Sequence, residues 1–460
     1  MPGPLFLILG PLVLASIALL LRRWQKVTIL FGVGSILILV IGLIQISIDG
    51  GRGALGTDRW LVFGREIALS EPIWWTLLTT YIVMGVIFLI SFVFVQSTIF
   101  IPLGIGLLSP LAAAIMVRPF VFGAVLLLMV ASAVALLIQG ERAGSTLASW
   151  RHLAIYALAP PLLLIAGWLL ETDQSQLLRT APTLFSIAFI ILLVGFPFHI
   201  WVAPASTETD SLVLVVALGL VQLIVIFFCI NLLRSNPIVL RSSQFSLFLR
   251  SSGIITLLLA SILVLTAPSV GRLIGYLIMI DLGSTIYALA LNSDGGLELS
   301  IKLILLRTLS LLLIATGLSM VNQITKKKDG NRPPATSVQS IYRGIGRTYP
   351  MATLILIYGA LSMIGAPLTP GFSGKWALVS LASQQSTQGA IIIVIALTAG
   401  IVGLIRWVVK FWEPVPAEDF SEVTRSNGVR IAASLSLIMG IIITLSPEFV
   451  GELISRILVP

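Results

Sequence analysis

The chain has 460 residues, 57% of them hydrophobic and only 10% charged, with a mean hydropathy of +1.07. A water-soluble domain needs a far more charged surface, so this composition excludes one and predicts an integral membrane protein surrounded by a lipid bilayer. The formal net charge of +9 does not signal a nucleic-acid partner, because Lys and Arg fall mainly in short gaps between apolar runs, where they set orientation in the membrane.

Spans of roughly 17–25 apolar residues predict helices over about 4–21, 27–48, 73–95, 98–116, 119–139, 152–170 and 181–199. They continue at about 211–234, 247–266, 271–292, 298–321, 350–383, 388–412 and 429–447, making about fourteen in an all-α chain. The charges of the first run follow it instead of preceding it, which marks a retained span and not a signal peptide. Basic residues gather in alternate gaps, among them Arg22, Arg23, Lys26, Arg142, Arg151, Arg272, Arg332, Arg343, Arg347 and Arg425. By the positive-inside rule those gaps are cytoplasmic, and both termini lie on the non-cytoplasmic side. The polar stretch from Asn322 to Tyr349, with Lys326, Lys327 and Lys328, reads as a flexible cytoplasmic linker.

Two apolar runs cannot be plain spanning helices. Proline removes a backbone donor and clashes with the preceding turn, so the helices around Pro197 and Pro367 must end, bend or break. Broken backbone inside a bilayer is tolerated where it is buried in protein or lines a watery cavity. Each break falls on the fourth span of a five-span group, and the groups run in opposite directions. This predicts an inverted repeat, with residues 1–97 as three leading spans, 98–234 and 245–412 as the two groups, and 429–460 as a terminal helix and tail. Two merely kinked helices would leave the same proline pattern.

An ionisable group within the bilayer is costly unless paired or hydrated, so each one is a functional candidate. Asp281, Lys302, Arg307, Lys375 and His199 are those candidates, and the four charged ones all lie in the second half. Lys375 follows a Gly/Pro break, where water and freed carbonyls can stabilise either protonation state; the alternative is a lysine snorkelling from a helix end. Asp281 is the acid available to pair with Lys302 and Arg307. Arginine keeps its proton, so Arg307 would be a fixed charge and not a carrier. His199 either exchanges protons or bonds freed carbonyls. Glu208 and Asp210 sit where carboxylates complement a helix N-terminus. Cys229 alone excludes an internal disulfide and cysteine-ligated clusters, and with His152 and His199 as the two histidines no haem or catalytic metal cluster is expected on this chain. No glycine-rich nucleotide loop is present either.

Pro197-Phe198-His199-Ile200-Trp201 resembles the Pro-Phe-His-x-Trp signature of the antiporter-like membrane subunits of respiratory complex I, shared with Mrp-type cation/proton antiporters and membrane-bound hydrogenases. Gly365-Ala-Pro367 with Gly371-Phe372-Ser373-Gly374-Lys375 is similar to the Gly-x-Pro-x-x-x-Gly-Phe-x-Gly-Lys element of that family, most like its subunit N. Arg272 to Tyr276 and Leu282-Gly283 resemble the remnant of a third element, in which Gly271 and Asp281 stand for a lysine and a histidine. The resemblance implies a membrane-arm subunit of a complex-I-type quinone oxidoreductase, contributing to proton translocation in an energy-transducing membrane of the bacterial inner or thylakoid type. NAD(P)H or ferredoxin, iron–sulfur clusters and quinone would then belong to partner subunits, alongside other membrane-arm subunits. The alternatives are a structural, non-pumping subunit of such a complex, or a subunit of an Mrp-type antiporter or a membrane-bound hydrogenase. Relatives carry a proton on a Glu and three lysines; here Met129, Leu192 and Gln222 stand at three of those places, and Lys375 alone matches. Arg307 stands where relatives carry another lysine.

Overall fold

The computed structural model describes residues 3–49, 60–62, 64–94, 96–141, 146–171, 179–291, 293–329, 342–414 and 427–458. Helices α1 (Gly3–Leu21), α2 (Gln25–Asp49), α3 (Glu71–Ser91), α4 (Phe100–Met116), α5 (Gly123–Gln139), α6 (Leu147–Tyr156) and α7 (Ala159–Leu170) lead to α8 (Ala181–Leu192) and the short α9 (Val202–Glu208). Then come α10 (Ser211–Val215), a π turn over Val216–Leu220, α11 (Val221–Ser235), α12 (Pro237–Leu240), α13 (Ser243–Leu265), α14 (Val270–Leu289) and α15 (Asp294–Asp329). The chain closes with α16 (Ile345–Thr348), α17 (Pro350–Ile364), α18 (Phe372–Gln385), α19 (Thr387–Phe411), α20 (Asn427–Leu445) and α21 (Pro447–Leu458).

Among the described residues ten helices are long and apolar enough to cross a membrane. A pair bent by 81°, Ala433–Leu445 and Pro447–Leu458, passes when taken together, and Phe100–Met116, Ala181–Leu192 and Pro350–Ile364 are shorter apolar helices. The core lies along the middle of the chain: the span Ser211–Ser235 is 100% buried and Val270–Leu289 94%, whereas Gly3–Leu21 is 22% buried. A helix apolar all round needs neighbours on every side or lipid, and these two groups show the two solutions. Serines set several starts, because Ser242, Ser269 and Ser386 accept the backbone N–H of Phe245, Arg272 and Gly389 and satisfy donors a helix leaves free.

Three short strands, β1 (Trp60–Val62), β2 (Arg65–Ile67) and β3 (Val117–Arg118), form an antiparallel sheet that an all-helical expectation leaves out. Gly64 makes the hairpin turn at φ +73°. Such brief strands carry too little periodicity to stand out between apolar helices. The first part of the expected linker is also helical, since α15 runs on to Asp329. The rest of that linker, with Arg332, lies outside the described residues, as do Arg52, Arg59, Arg142 and Arg425.

Both proline-marked runs are broken. After α8, Val194 takes φ +62°, Phe196-Pro197 is cis, and a 3-10 turn over Phe198–Trp201 leads into α9. The freed backbone is taken up by α13: the Phe196 N–H donates to Thr256 Oγ1 at 2.9 Å, and Ser252 Oγ donates to the Phe196 carbonyl at 2.9 Å. After α17, Gly365 and Leu368 take φ +87° and +64°. There the Gly371 N–H donates to Ser362 Oγ at 3.1 Å, and Ser362 in turn shares a 2.7 Å hydrogen bond with Ser310 of α15. Hydroxyls replace water for these breaks, as a bilayer requires. Thr256→Val keeps the shape and leaves the Phe196 N–H without its acceptor, so the variant is expected to lose about 1–3 kcal/mol, read as a lower unfolding midpoint in detergent.

Candidate functional site: a buried ion cluster and its polar extension

Three of the intramembrane candidates meet at one point. Asp281 on α14, Arg307 on α15 and Lys375 on α18 are 3%, 1% and 3% exposed. Lys375 Nζ donates to Asp281 Oδ1 at 2.6 Å, and Arg307 Nε lies 2.8 Å from Asp281 Oδ2. The second contact is a close ion pair whose N–H is not aligned on the oxygen. Arg307 Nη2 donates to Thr285 Oγ1 at 3.2 Å, and Thr285, one turn beyond Asp281, donates to the Asp281 carbonyl at 3.0 Å. Arg307 Nη1 has no hydrogen-bond partner among the described residues.

The break after α17 places Lys375. Its N–H donates to the Gly371 carbonyl at 3.1 Å, closing the first turn of α18. A Cβ at Gly365 would run into the Lys375 side chain, so this glycine meets two demands at once, a left-handed backbone and an empty flank.

The charges give the cluster its chemistry. Two cations share one carboxylate, so the site is balanced when Lys375 is neutral and carries one excess positive charge when Lys375 is an ammonium. Arg307 holds its charge throughout. A proton on Lys375 therefore switches the cluster between two charge states without any change of partner.

Lys302, five residues before Arg307, is half-buried and stays outside the cluster. A separation of five residues turns it onto a different flank of α15. His199 is buried in the 3-10 turn, stacked on Phe196 with ring centroids 5.8 Å apart, and its Nδ1 has no partner among the described residues. Glu208 accepts the Ala148 N–H at 3.1 Å and so serves the first turn of α6, not the helix that follows it in sequence. Asp210 is the N-cap residue of α10, with no side-chain cap hydrogen bond.

In the first half, Gln222 Nε2 donates to Tyr156 Oη at 2.8 Å and to the Leu192 carbonyl at 3.0 Å, and Tyr156 Oη donates to the same carbonyl at 2.9 Å. The side chain of Leu192 is apolar, but its carbonyl, at the end of α8 where helices leave acceptors free, anchors a polar node. The π turn directly before Gln222 and the close approach of Gly219 to Thr308 of α15 bring this node towards the ion cluster. Met129 is 59% exposed on the outer flank of α5, while Leu127, Val130, Ala131 and Val134 face inward. The residue that stands in the place of the relatives' Glu therefore does not point into the polar interior.

Sequence reasoning missed Thr285, a ligand of Arg307, and Tyr156, the centre of the first-half node. Thr285 had a usable signal, since it stands four residues after the acid and on the same helical face. Among the described residues no three His, Cys, Asp or Glu side chains come together as a metal cluster.

Residues 112–401 match the family model described as NADH:quinone oxidoreductase/Mrp antiporter, TM. The chain is 25% identical over 283 residues to NADH-quinone oxidoreductase subunit N of Chromohalobacter salexigens, covering 60% of this chain and 56% of that protein. It is also 25% identical over 308 residues to F(420)H(2) dehydrogenase subunit N of Methanosarcina mazei, covering 62% and 60%. The chain thus spans about half the length of the curated relatives it matches. Its fold is that of a chain in an archaeal membrane-bound sulfane sulfur reductase, with a TM-score of 0.80 at 15% identity, 99% of this chain and 97% of that one being covered. A chain of the Mrp complex of Dietzia sp. superposes with a TM-score of 0.76 at 16% identity, covering 99% and 96%. A chain of respiratory complex I from Thermus thermophilus gives 0.70 at 16% identity, covering 96% and 98%. With well over half of its length matched by the family model, the chain belongs to the NADH:quinone oxidoreductase/Mrp antiporter transmembrane family.

Proposed function

We propose that this chain is an antiporter-like, membrane-arm subunit of a complex-I-type oxidoreductase, and that it moves protons through the Asp281–Arg307–Lys375 cluster. The observation that carries this reading is the sharing of one buried carboxylate by two buried cations, one of which can release its proton. A static structural pair would be satisfied by one cation and one acid.

In this reading the redox chemistry, with NAD(P)H or ferredoxin, iron–sulfur clusters and quinone, takes place in partner subunits, and this chain contributes the ion path. The chain sits in an energy-transducing membrane with both termini on the non-cytoplasmic side, and residues 98–234 and 245–412 form two opposed five-helix groups around the breaks at Pro197 and Pro367. A non-pumping, structural role is the second reading, favoured by Leu192 and Gln222, where relatives hold a carrier and neither side chain here can titrate.

Lys375→Ala separates the two. In the native complex reconstituted into vesicles, the variant is expected to lose proton translocation by roughly tenfold or more while substrate oxidation continues. Translocation at the parental proton-to-electron ratio would leave the structural role as the better account.

A further inference from the structure

Where α7 and α11 end and the turn before α5 begins, the chain encloses a cavity of about 470 Å³, within the size range of sites that hold small molecules. The apolar spans Phe120–Gln139, Leu147–Leu170 and Ser211–Ser235 all start or stop at this level, which puts the cavity at the surface of the membrane. Phe120, Leu164 and Leu232 give it an apolar wall. Gly167 lets the turn over Phe120–Phe122 close on α7, since a Cβ there would meet Val121 at 2.8 Å. Trp168, also in the wall, is exposed together with Ile165 three residues before it, so this flank of α7 faces lipid. Tryptophan collects at the level of lipid headgroups.

The polar groups of the wall are of two kinds. Arg118 stacks its guanidinium over the Phe120 ring at 3.7 Å. Stacking uses the face of the guanidinium and leaves the N–H groups at its edge, and among the described residues no hydrogen bond or ion pair takes them. Glu66 lies opposite Arg118 in the β2–β3 register and supplies a counter-charge without closing a hydrogen bond. Across the cavity from these donors stand acceptors: Glu171 at the end of α7, with Ser235 and Asn236 at the end of α11. The Ser235 hydroxyl donates to the Asn231 carbonyl at 2.8 Å and Asn236 Nδ2 to the Leu232 carbonyl at 2.8 Å, so their oxygens remain to accept. Arg118 and Glu171 thus line one space without pairing with each other.

We infer that this cavity binds the headgroup of a phospholipid bearing a primary ammonium, phosphatidylethanolamine being the simplest. Arg118 takes the phosphate through the edge of its guanidinium. Glu171, Ser235 and Asn236 accept the three N–H groups of the ammonium, and the acyl chains leave along the lipid-facing flank of α7. Phosphatidylcholine would put methyl groups where the acceptors need donors, and an anionic headgroup would leave Glu171 without a cation. The site lies apart from the ion cluster and does not depend on proton translocation.

The test uses the intact complex, exchanged into nanodiscs of palmitoyl-oleoyl phosphatidylethanolamine, phosphatidylcholine and phosphatidylglycerol in equal amounts, with the lipid retained on extraction counted by native mass spectrometry. The parental complex is expected to keep one phosphatidylethanolamine more than Ser235→Trp, whose indole fills the cavity. Loss of a charge-assisted hydrogen bond is worth roughly a tenfold change in affinity, so Arg118→Gln should weaken retention about tenfold, and Glu171→Gln should erase the preference over phosphatidylcholine. Equal retention of the three lipids by the parental complex, or the same lipid count in Ser235→Trp, overturns the inference. Displacement of the lipid by free phosphoethanolamine would assign the site to a soluble ligand instead, and a cryo-EM map with a partner's side chains in the cavity would overturn it outright. Should Arg118→Gln fail to assemble, Glu171→Gln and Ser235→Trp keep the stacked arginine and decide the matter.

Discussion

Asn in place of Asp281 is expected to destabilise the protein by about 3–5 kcal/mol, the usual cost of removing one partner from a buried ion pair. The arrangement around this residue puts the effect at the upper end. Asp281 is the counter-charge in contact with both Arg307 and Lys375, so a neutral amide leaves a guanidinium and an amine facing each other at near-zero exposure. Asn also presents an NH2 group where both neighbours donate. The loss should appear as a lower unfolding midpoint and as less assembled complex in the membrane. Adding Lys375→Met to Asp281→Asn removes one of the two orphaned cations and should recover part of the stability but none of the translocation. An unchanged midpoint for Asp281→Asn would mean that the carboxylate does not hold the cluster together.

Gly365→Val is expected to be strongly damaging. A β-branched residue at φ +87° is a backbone outlier, and such strain costs on the order of 1–3 kcal/mol before any contact is counted. The added Cβ then meets the Lys375 side chain and must drive it away from Asp281. Stability and translocation should fall together, because one atom disturbs both the turn and the ion pair. Gly365→Ala carries the same collision with less strain, so comparing the two in unfolding and transport measurements separates backbone from side-chain effects. Normal translocation in Gly365→Ala would show that Lys375 tolerates displacement and is not held to one position.

Much of this was legible from residue types. Pro197 and Pro367 announced the breaks because proline cannot continue a helix, and both runs are interrupted where the residues said they must be. Asp281, as the intramembrane acid of the second half, had few partners to choose from, and Lys375 and Arg307 both reached it. Which cation would be left aside was not legible. Lys302 and Arg307 differ in angle and in depth along α15, and the sequence alone does not say which of them faces Asp281. Met129 shows another limit: the resemblance puts it where relatives carry a Glu, but on α5 that position faces outward. His152 was hidden for another reason, because a lone histidine in an apolar helix has no pattern around it. Only the folding of Trp201 against α6 shows that its ring is packed between two aromatics.

The π turn over Val216–Leu220 makes the buried span before and after it a matter of angular phase. A π turn holds one residue more than an α turn, and one residue corresponds to a rotation of about 100° around the helix. Ser211, before the turn, donates to the Ala315 carbonyl at 3.1 Å and shares a 2.7 Å hydrogen bond with Ser319, while Gln222, after it, reaches Tyr156 and Leu192. The extra residue is what allows both ends to be in register with their partners. Were it lost, one end would swing away by more than a quarter turn, so the span works as a key cut for two locks, with α15 fitting one end and the first-half polar node the other.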